Sequence, residues 1–278
     1  MYNVKKVNED LYWIGASDRR LALFENIYPI PRGVSYNSYV ILDEKIAVMD
    51  TIDTRKTDEW KENLERALDG RTPDYLVVSH LEPDHAGSIK EFADKYPEAK
   101  IVASAKAIAM LPQFFEIADL ADRAVAVKEG EELSLGSHTL QFFMAPMVHW
   151  PEVMVEYEKS EKILFSADGF GKFGALDADE DWTFEARRYY FNIVGKYGAQ
   201  VQALLKKAAT LDIQTICPLH GPILKENLGY YIGKYMTWSS YEPEDDGVLV
   251  AYASIHGNTK KAAEKMKEIL EAKGAKKV

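Results

Sequence analysis

Tyr75-Leu76-Val77-Val78-Ser79 is an apolar run that leads directly into His80-Leu81-Glu82-Pro83-Asp84-His85, where four of six side chains can bind a metal ion. Such a run reads as a buried strand, and the end of a rigid strand is where a sheet presents side chains into a cleft. In an extended segment His80, Glu82 and Asp84 project to one side. Pro83 stiffens the connection, and a helix beginning near Gly87 brings His85 round. The plainer alternative is a solvated polar loop with Asp84 as an N-cap. That alternative needs one acid and leaves two histidines and a glutamate beside it unexplained.

Three other positions share the same local setting, a strand end followed by a turn. They are His149 in Met147-Val148-His149-Trp150-Pro151, Asp168 in Phe165-Ser166-Ala167-Asp168-Gly169, and His220 in Cys217-Pro218-Leu219-His220-Gly221-Pro222. Taken singly, each is bland: a histidine before tryptophan is usually packed, and Asp-Gly is usually a turn. Recurrence changes this, because strands of one sheet edge converge their ends on a single cleft. Four histidines and three carboxylates exceed what one ion needs, so the set implies two metals with Asp168 shared between them. Three carboxylates suit iron in its ferrous and ferric states better than a zinc pair rich in imidazole. Redox chemistry is the leading expectation. His138 and His256 fall outside the pattern, and His138, in Gly136-Ser137-His138, reads as an exposed turn residue.

Strand-like runs fill the first two thirds of the chain, at 37–43, 46–50, 75–79, 139–144, 153–158 and 162–167. Helical patterns lie near 56–68, 87–95 and 104–112. A long one at 184–209 sets Tyr190, Val194, Tyr197, Val201, Leu204 and Ala208 on one stripe. The mixture predicts layered sheets covered by helices, an α/β fold, rather than a bundle or an all-β barrel.

The 278 residues are 47% apolar, enough for a large core. A net charge of −10 gives no reason to expect a nucleic-acid or anionic-membrane partner. No stretch approaches the roughly eighteen apolar residues of a membrane span, and the first residues lack a secretory apolar stretch, so a cytoplasmic protein is expected. Cys217 is the lone cysteine. It excludes an internal disulfide and a thiolate cluster, leaving nitrogen and oxygen as metal ligands.

The run His80-x-Glu82-x-Asp84-His85, with His149, Asp168 and His220 downstream, resembles the ligand set of the flavodiiron proteins, or A-type flavoproteins. Tyr28 to Tyr39 (YPIPRGVSYNSY) and Leu164 to Gly174 (LFSADGFGKFG) share the resemblance, which covers residues 1–247. It implies a metallo-β-lactamase-type αββα sandwich. In that fold His80, Glu82 and His149 would bind one iron, Asp84, His85 and His220 the other, and Asp168 would bridge them. In some members the histidine matching His85 is swung away from the metal. Hydrolytic relatives usually carry histidine where Glu82 stands. The family reduces oxygen to water, nitric oxide to nitrous oxide, or both, with electrons taken from FMN. Tyr189, Tyr190 and Trp150 are candidates to line the pocket, although core packing explains them equally well.

Residues 239–247 (SSYEPEDDG) read as an interdomain linker. After it, Val248–Tyr252 read as a buried strand, Ser254-Ile255-His256-Gly257-Asn258-Thr259 as a turn, and residues from about Lys260 to Ala272 as a helix. The turn resembles the phosphate loop of a flavodoxin, where backbone N–H groups at a helix N-terminus hold the FMN phosphate. Residues 248–278 are too few for a complete doubly wound flavin domain. The expectation is an incomplete flavodoxin-like segment, from a fragment of a longer protein or from a short form served by a separate donor. The resemblance further implies a head-to-tail homodimer and a donor such as rubredoxin or another flavoprotein. Two other functions compete: a metal-dependent hydrolase, and a di-iron sensor that binds oxygen without turnover.

Overall fold

The computed structural model describes residues 3–278. Two sheets stack face to face. The first runs β1 (Lys5–Lys6), β2 (Leu11–Trp13), β3 (Tyr39–Ile41), β4 (Ala47–Met49), β5 (Tyr75–Val78), β6 (Lys100–Ser104) and β7 (Ala124–Val127) in spatial order. Its first four strands are antiparallel and the rest parallel. The second runs β8 (Glu132–Ser134), β9 (Thr139–Met144), β10 (Met154–Glu158), β11 (Ile163–Phe165) and β12 (Thr215–Cys217), with only the last pair parallel.

Side-chain alternation builds the layers, because successive residues of a strand face opposite sides. Tyr39, Ile41, Met49, Val77 and Val102 of the first sheet meet Leu140, Phe142, Met154, Phe165 and Cys217 of the second in one buried cluster. Their neighbours Val40, Val48, Leu76, Val78 and Ile101 turn outward. They pack with Trp60 and Leu64 of α1 (Thr57–Leu68), Phe92 of α3 (Ile89–Lys95) and Ala107 of α4 (Ala105–Met110). Between these helices lies the single turn α2 (Pro83–Ala86), and α5 (Leu120–Arg123) precedes β7. On the far side Val155, Leu164 and Ile216 pack under α6 (Trp182–Ile193), α7 (Gly198–Ala208) and α8 (Leu228–Ser240). The layers therefore run helix, sheet, sheet, helix, the αββα architecture expected.

Three local expectations fail. The helix expected at 184–209 is two helices joined by a 3₁₀ turn at Gly195–Tyr197. Gly198 opens the second helix where a Cβ would stand 2.4 Å from the Ser239 carbonyl, so the end of α8 fits only against glycine. Val248–Tyr252 forms no strand; Leu249 is 90% exposed, and no described strand lies alongside to pair with it. The helix after it does form, as α9 (Asn258–Ala272), with no buried residue. The acidic stretch at 239–247 is anchored: Ser239 and Ser240 finish α8, and Glu244 pairs with Arg187 and Lys234.

His138 is the third. It is buried rather than exposed, because the Asp43 carboxylate accepts hydrogen bonds from its backbone N–H (2.7 Å), its Nδ1 (2.9 Å) and Ser137 Oγ (3.0 Å). Burial works against ionisation of Asp43, but these donors prevail and hold its pKa down at about 2 against an ordinary 3.8. A group with a depressed folded pKa stabilises above its ordinary value, and that contribution fades as pH falls through the folded one. Asp43→Ala should cost about 1–3 kcal/mol in urea melts at neutral pH, because it strands buried donors. The gap between the wild type and the variant should close as pH falls from 3.8 to about 2; a gap that stays constant with pH would contradict this account.

Candidate metal centre

One end of the sandwich collects the ends of β4, β5, β9, β11 and β12. There the backbone N–H of Met154 donates to the Ser79 carbonyl (3.1 Å), closing one sheet onto the other. The loop after β5 departs from the extended course expected of it. Glu82 is its last extended residue, with ψ 138°, and Pro83 then opens α2, its fixed φ suiting the first helical position. Asp84 and His85 are thus presented by a helical turn. Asp168 stands beyond β11 and His220 beyond β12, while His149 comes from the loop between β9 and β10.

All seven side chains singled out in the sequence meet at this end, in two groups whose ligand atoms lie within 4.8 Å of one another. In the first, His149 Nε2 is 3.0 Å from Glu82 Oε2 and 3.1 Å from Asp168 Oδ2, and His80 Nε2 is 3.3 Å from Glu82 Oε2. In the second, His220 Nε2 is 3.2 Å and His85 Nε2 3.4 Å from Asp84 Oδ2, and His85 Nε2 is 3.1 Å from Asp168 Oδ1. His85 is turned inward. Asp168 gives one oxygen to each group, as a carboxylate shared by two cations would.

The donor set fits a pair of cations. Both Asp84 oxygens, Asp168 Oδ2 and His220 Nε2 are buried without a hydrogen-bond partner, a costly state for carboxylates unless positive charge sits between them. The imidazoles register the same demand. Burial alone would lower His85 and His149, but Asp84 and Asp168 around the first, and Asp168 and Glu82 around the second, raise both to about 9.

A further layer of contacts aims the ligands. His80 Nδ1 donates to Glu152 (2.8 Å), which also accepts the Leu81 N–H (3.0 Å), and His220 Nδ1 donates to the Ser35 carbonyl (2.6 Å). Each bond fixes the tautomer that leaves Nε2 free for a metal. Asp50 accepts from the Ser79 N–H at 2.8 Å, and Ser79 Oγ lies 2.6 Å from Asp50 and 3.0 Å from Glu156. One hydroxyl hydrogen cannot serve both carboxyls, so one of them carries a proton. Glu156 is that one: burial, with the Asp50 charge beside it, raises it well above the carboxylate range.

A cavity of about 270 Å³ opens on the centre past Phe24, Glu25, Tyr36, Arg55, Glu82 and Asp84. A hydrogen bond to Glu82, helped by burial and by the charges of Glu82 and Asp84, raises the Glu25 carboxyl to about 8. Tyr189 is fully buried against His220 with its hydroxyl unpartnered. Tyr190 packs into the core with Tyr235 and Trp238, and Trp150 lies edge-on to His80. Sequence reasoning missed Glu25, Asp50, Glu152 and Glu156. Glu152 alone left a trace, three residues after His149; Glu25 sits in the turn of a short hairpin, Leu23–Phe24 with Tyr28–Pro29, with no motif around it. Ser254–Gly257 form a turn ahead of α9, with Ser254 to His256 exposed, and Asn258 and Thr259 are the exposed first residues of the helix.

The fold and this pair of adjoining ligand groups define a metallo-β-lactamase-type protein with a site suited to two cations. The model of the ODP family of beta lactamases matches residues 34–221. A nitric oxide reductase of Moorella thermoacetica is 31% identical, covering 96% of this chain and 69% of that protein. The flavodiiron protein of Giardia intestinalis superposes with a TM-score of 0.94 at 29% identity, over 100% of this chain and 69% of that one. Rubredoxin oxygen:oxidoreductase of Desulfovibrio gigas superposes with a TM-score of 0.90 at 30% identity, over 99% and 71%. The chain belongs to the flavodiiron family, whose members are di-iron oxidoreductases. It spans 54% of the length of an anaerobic nitric oxide reductase flavorubredoxin of Vibrio vulnificus and 41% of a putative diflavin flavoprotein of Nostoc.

Glu152→Ala should leave the fold intact and release the His80 ring. Metal affinity should then drop about 10- to 100-fold, measured by chelator competition, whereas unchanged affinity would remove Glu152 from the account.

Proposed function

We propose that this chain is the iron-bearing core of a reductase for dioxygen, nitric oxide or both. His80, Glu82 and His149 would hold one iron, and Asp84, His85 and His220 the other, with Asp168 shared between them. The observation that carries the reading is the split orientation of Asp168, one oxygen toward each group, in a site where a carboxylate, Glu82, occupies the position that hydrolytic relatives give to histidine. Two adjacent ferrous ions held by these residues would supply electrons together to one dioxygen or to a pair of nitric oxides. Reduction of dioxygen to two waters consumes four electrons and four protons, and joining two nitric oxides into nitrous oxide and water consumes two of each.

The protein's own groups serve the other requirements. Glu25, with its pKa raised to about 8, stands at the polar opening where protons enter. The Tyr189 hydroxyl, unpartnered within the protein, is available to a bound diatomic. Electrons would come from FMN, whose phosphate Ser254, Ile255, His256, Gly257, Asn258 and Thr259 would hold at the N-terminus of α9. The reading includes a head-to-tail homodimer that faces the FMN of one subunit to the irons of the other, and a donor such as rubredoxin or another flavoprotein. Among the described residues no helix is long and apolar enough to cross a membrane. With a single cysteine, this supports a cytoplasmic setting.

Protein purified aerobically should contain two irons, and once reduced it should consume oxygen or nitric oxide. Two zincs with esterase turnover would transfer it to the hydrolases, and a stable oxygen adduct without turnover to the sensors. Glu82→His should shift metal content toward zinc and abolish gas reduction. Tyr189→Phe should melt within about 1 kcal/mol of the wild type, since no protein partner loses a bond. Its gas-reduction rate should fall, and an unchanged rate would remove the hydroxyl from the chemistry.

A further inference from the structure

Behind the centre, on the side away from the polar opening, two apolar lobes lie between α7 and the outer face of the second sheet. The outer lobe, about 140 Å³, is walled by Ala208, Leu211, Ile213 and Ile232, all half-buried, with Leu164 and Phe170 at its base. The inner lobe, about 40 Å³, shares Leu164, Phe170, Leu205, Ala208 and Leu211 with it and continues past Val201 to Val148 and Gly169. Val148 precedes His149, and Gly169 follows Asp168. Exposure falls inward, from half-buried walls at the rim to Val148 and Phe170, each at 6%. The space thus leads from near the surface to the backs of the two loops that present a histidine and the shared carboxylate.

Its polar lining groups are already engaged. Ser166 Oγ donates to the Gly169 carbonyl (2.6 Å), Tyr235 Oη accepts the Phe170 N–H (2.7 Å), and Lys207 Nζ donates to the Met144 carbonyl and pairs with Glu129. A water needs two to four polar partners to stay in a cavity, and apolar cavities of about 150 Å³ remain dry and bind xenon. The other route to the centre is lined by Glu25, Asp53, Arg55, Glu82 and Asp84, charged groups that favour water and ions. A small apolar gas distributes toward the dry route and ions toward the wet one.

We infer that the lobes under α7 are a binding and entry site for an apolar diatomic gas, separate from the polar opening. The inference rests on the reading of the centre as an oxygen or nitric oxide reductase, because only a gaseous substrate gives such a site a use. Crystals of the protein pressurised with xenon should show xenon between Leu164, Phe170 and Leu205. Ala208→Phe, whose ring fills the shared space, should lose that xenon. Iron content should be unchanged, while the second-order rate of the reduced, iron-loaded protein with oxygen in a stopped-flow instrument falls several-fold. Leu211→Trp, at the half-buried rim, repeats the test should Ala208→Phe fail to fold. Absence of xenon from the wild type overturns the inference. So does an unchanged oxygen rate in a variant that has lost the xenon. Failure of the wild-type irons to react with either gas overturns the proposed function instead, and the xenon measurement separates the two because it needs no turnover.

Discussion

Three carboxylates, Glu82, Asp84 and Asp168, are enclosed at one end of a two-sheet sandwich with four imidazoles and little exposure to solvent. Asp168 is 1% exposed, Glu82 5% and Asp84 7%. Uncompensated carboxylates in such a place cost several kcal/mol each, and no lysine or arginine pairs with them among the described residues. This requirement for positive charge organises the rest of the end. Every inward-facing imidazole nitrogen and three of the carboxylate oxygens left without hydrogen-bond partners converge on the two positions that cations would fill.

Holding the groups there is the work of both sheets. The Asn37 side chain donates to the carbonyls of Pro218 and Gly221, and its backbone N–H donates to the Leu219 carbonyl, so the His220 loop is fixed to the first sheet although it follows the second. Ser104 caps α4 and donates to the Glu152 carbonyl, tying the His149 loop to β6. Asp50, Ser79 and the protonated Glu156 lock the start of the His80 loop in the same way. A site shared between two sheets keeps its geometry only if the sheets cannot slide, and these crossing hydrogen bonds prevent it.

The surroundings differ on the two sides of the centre. Toward the polar opening lie Glu25, Asp53 and Arg55, groups suited to water and protons. Toward α7 the walls are Leu, Val, Phe and Ala with their few polar neighbours satisfied. The asymmetry follows from the architecture, since the outer face of the second sheet is an apolar surface covered by helices, while the opposite approach passes between irregular loops.

The seven metal-competent side chains were legible in the sequence because each follows an apolar strand, and strand ends converge whatever the details of the connections. The layered α/β class was legible for a related reason: period-two alternation and the helical stripe survive in one dimension. What tertiary structure alone decided was where packing overrode pattern. The helix at 184–209 breaks because α8 approaches Gly198 too closely for a side chain. Val248–Tyr252 is no strand because pairing needs a neighbour. His138 is buried because Asp43, 95 residues away, supplies the acceptor. Glu25, Asp50, Glu152 and Glu156 acquire meaning only from partners distant in the chain. A lone acidic letter carries no record of burial, and burial is what turns these carboxyls into supports for a metal centre.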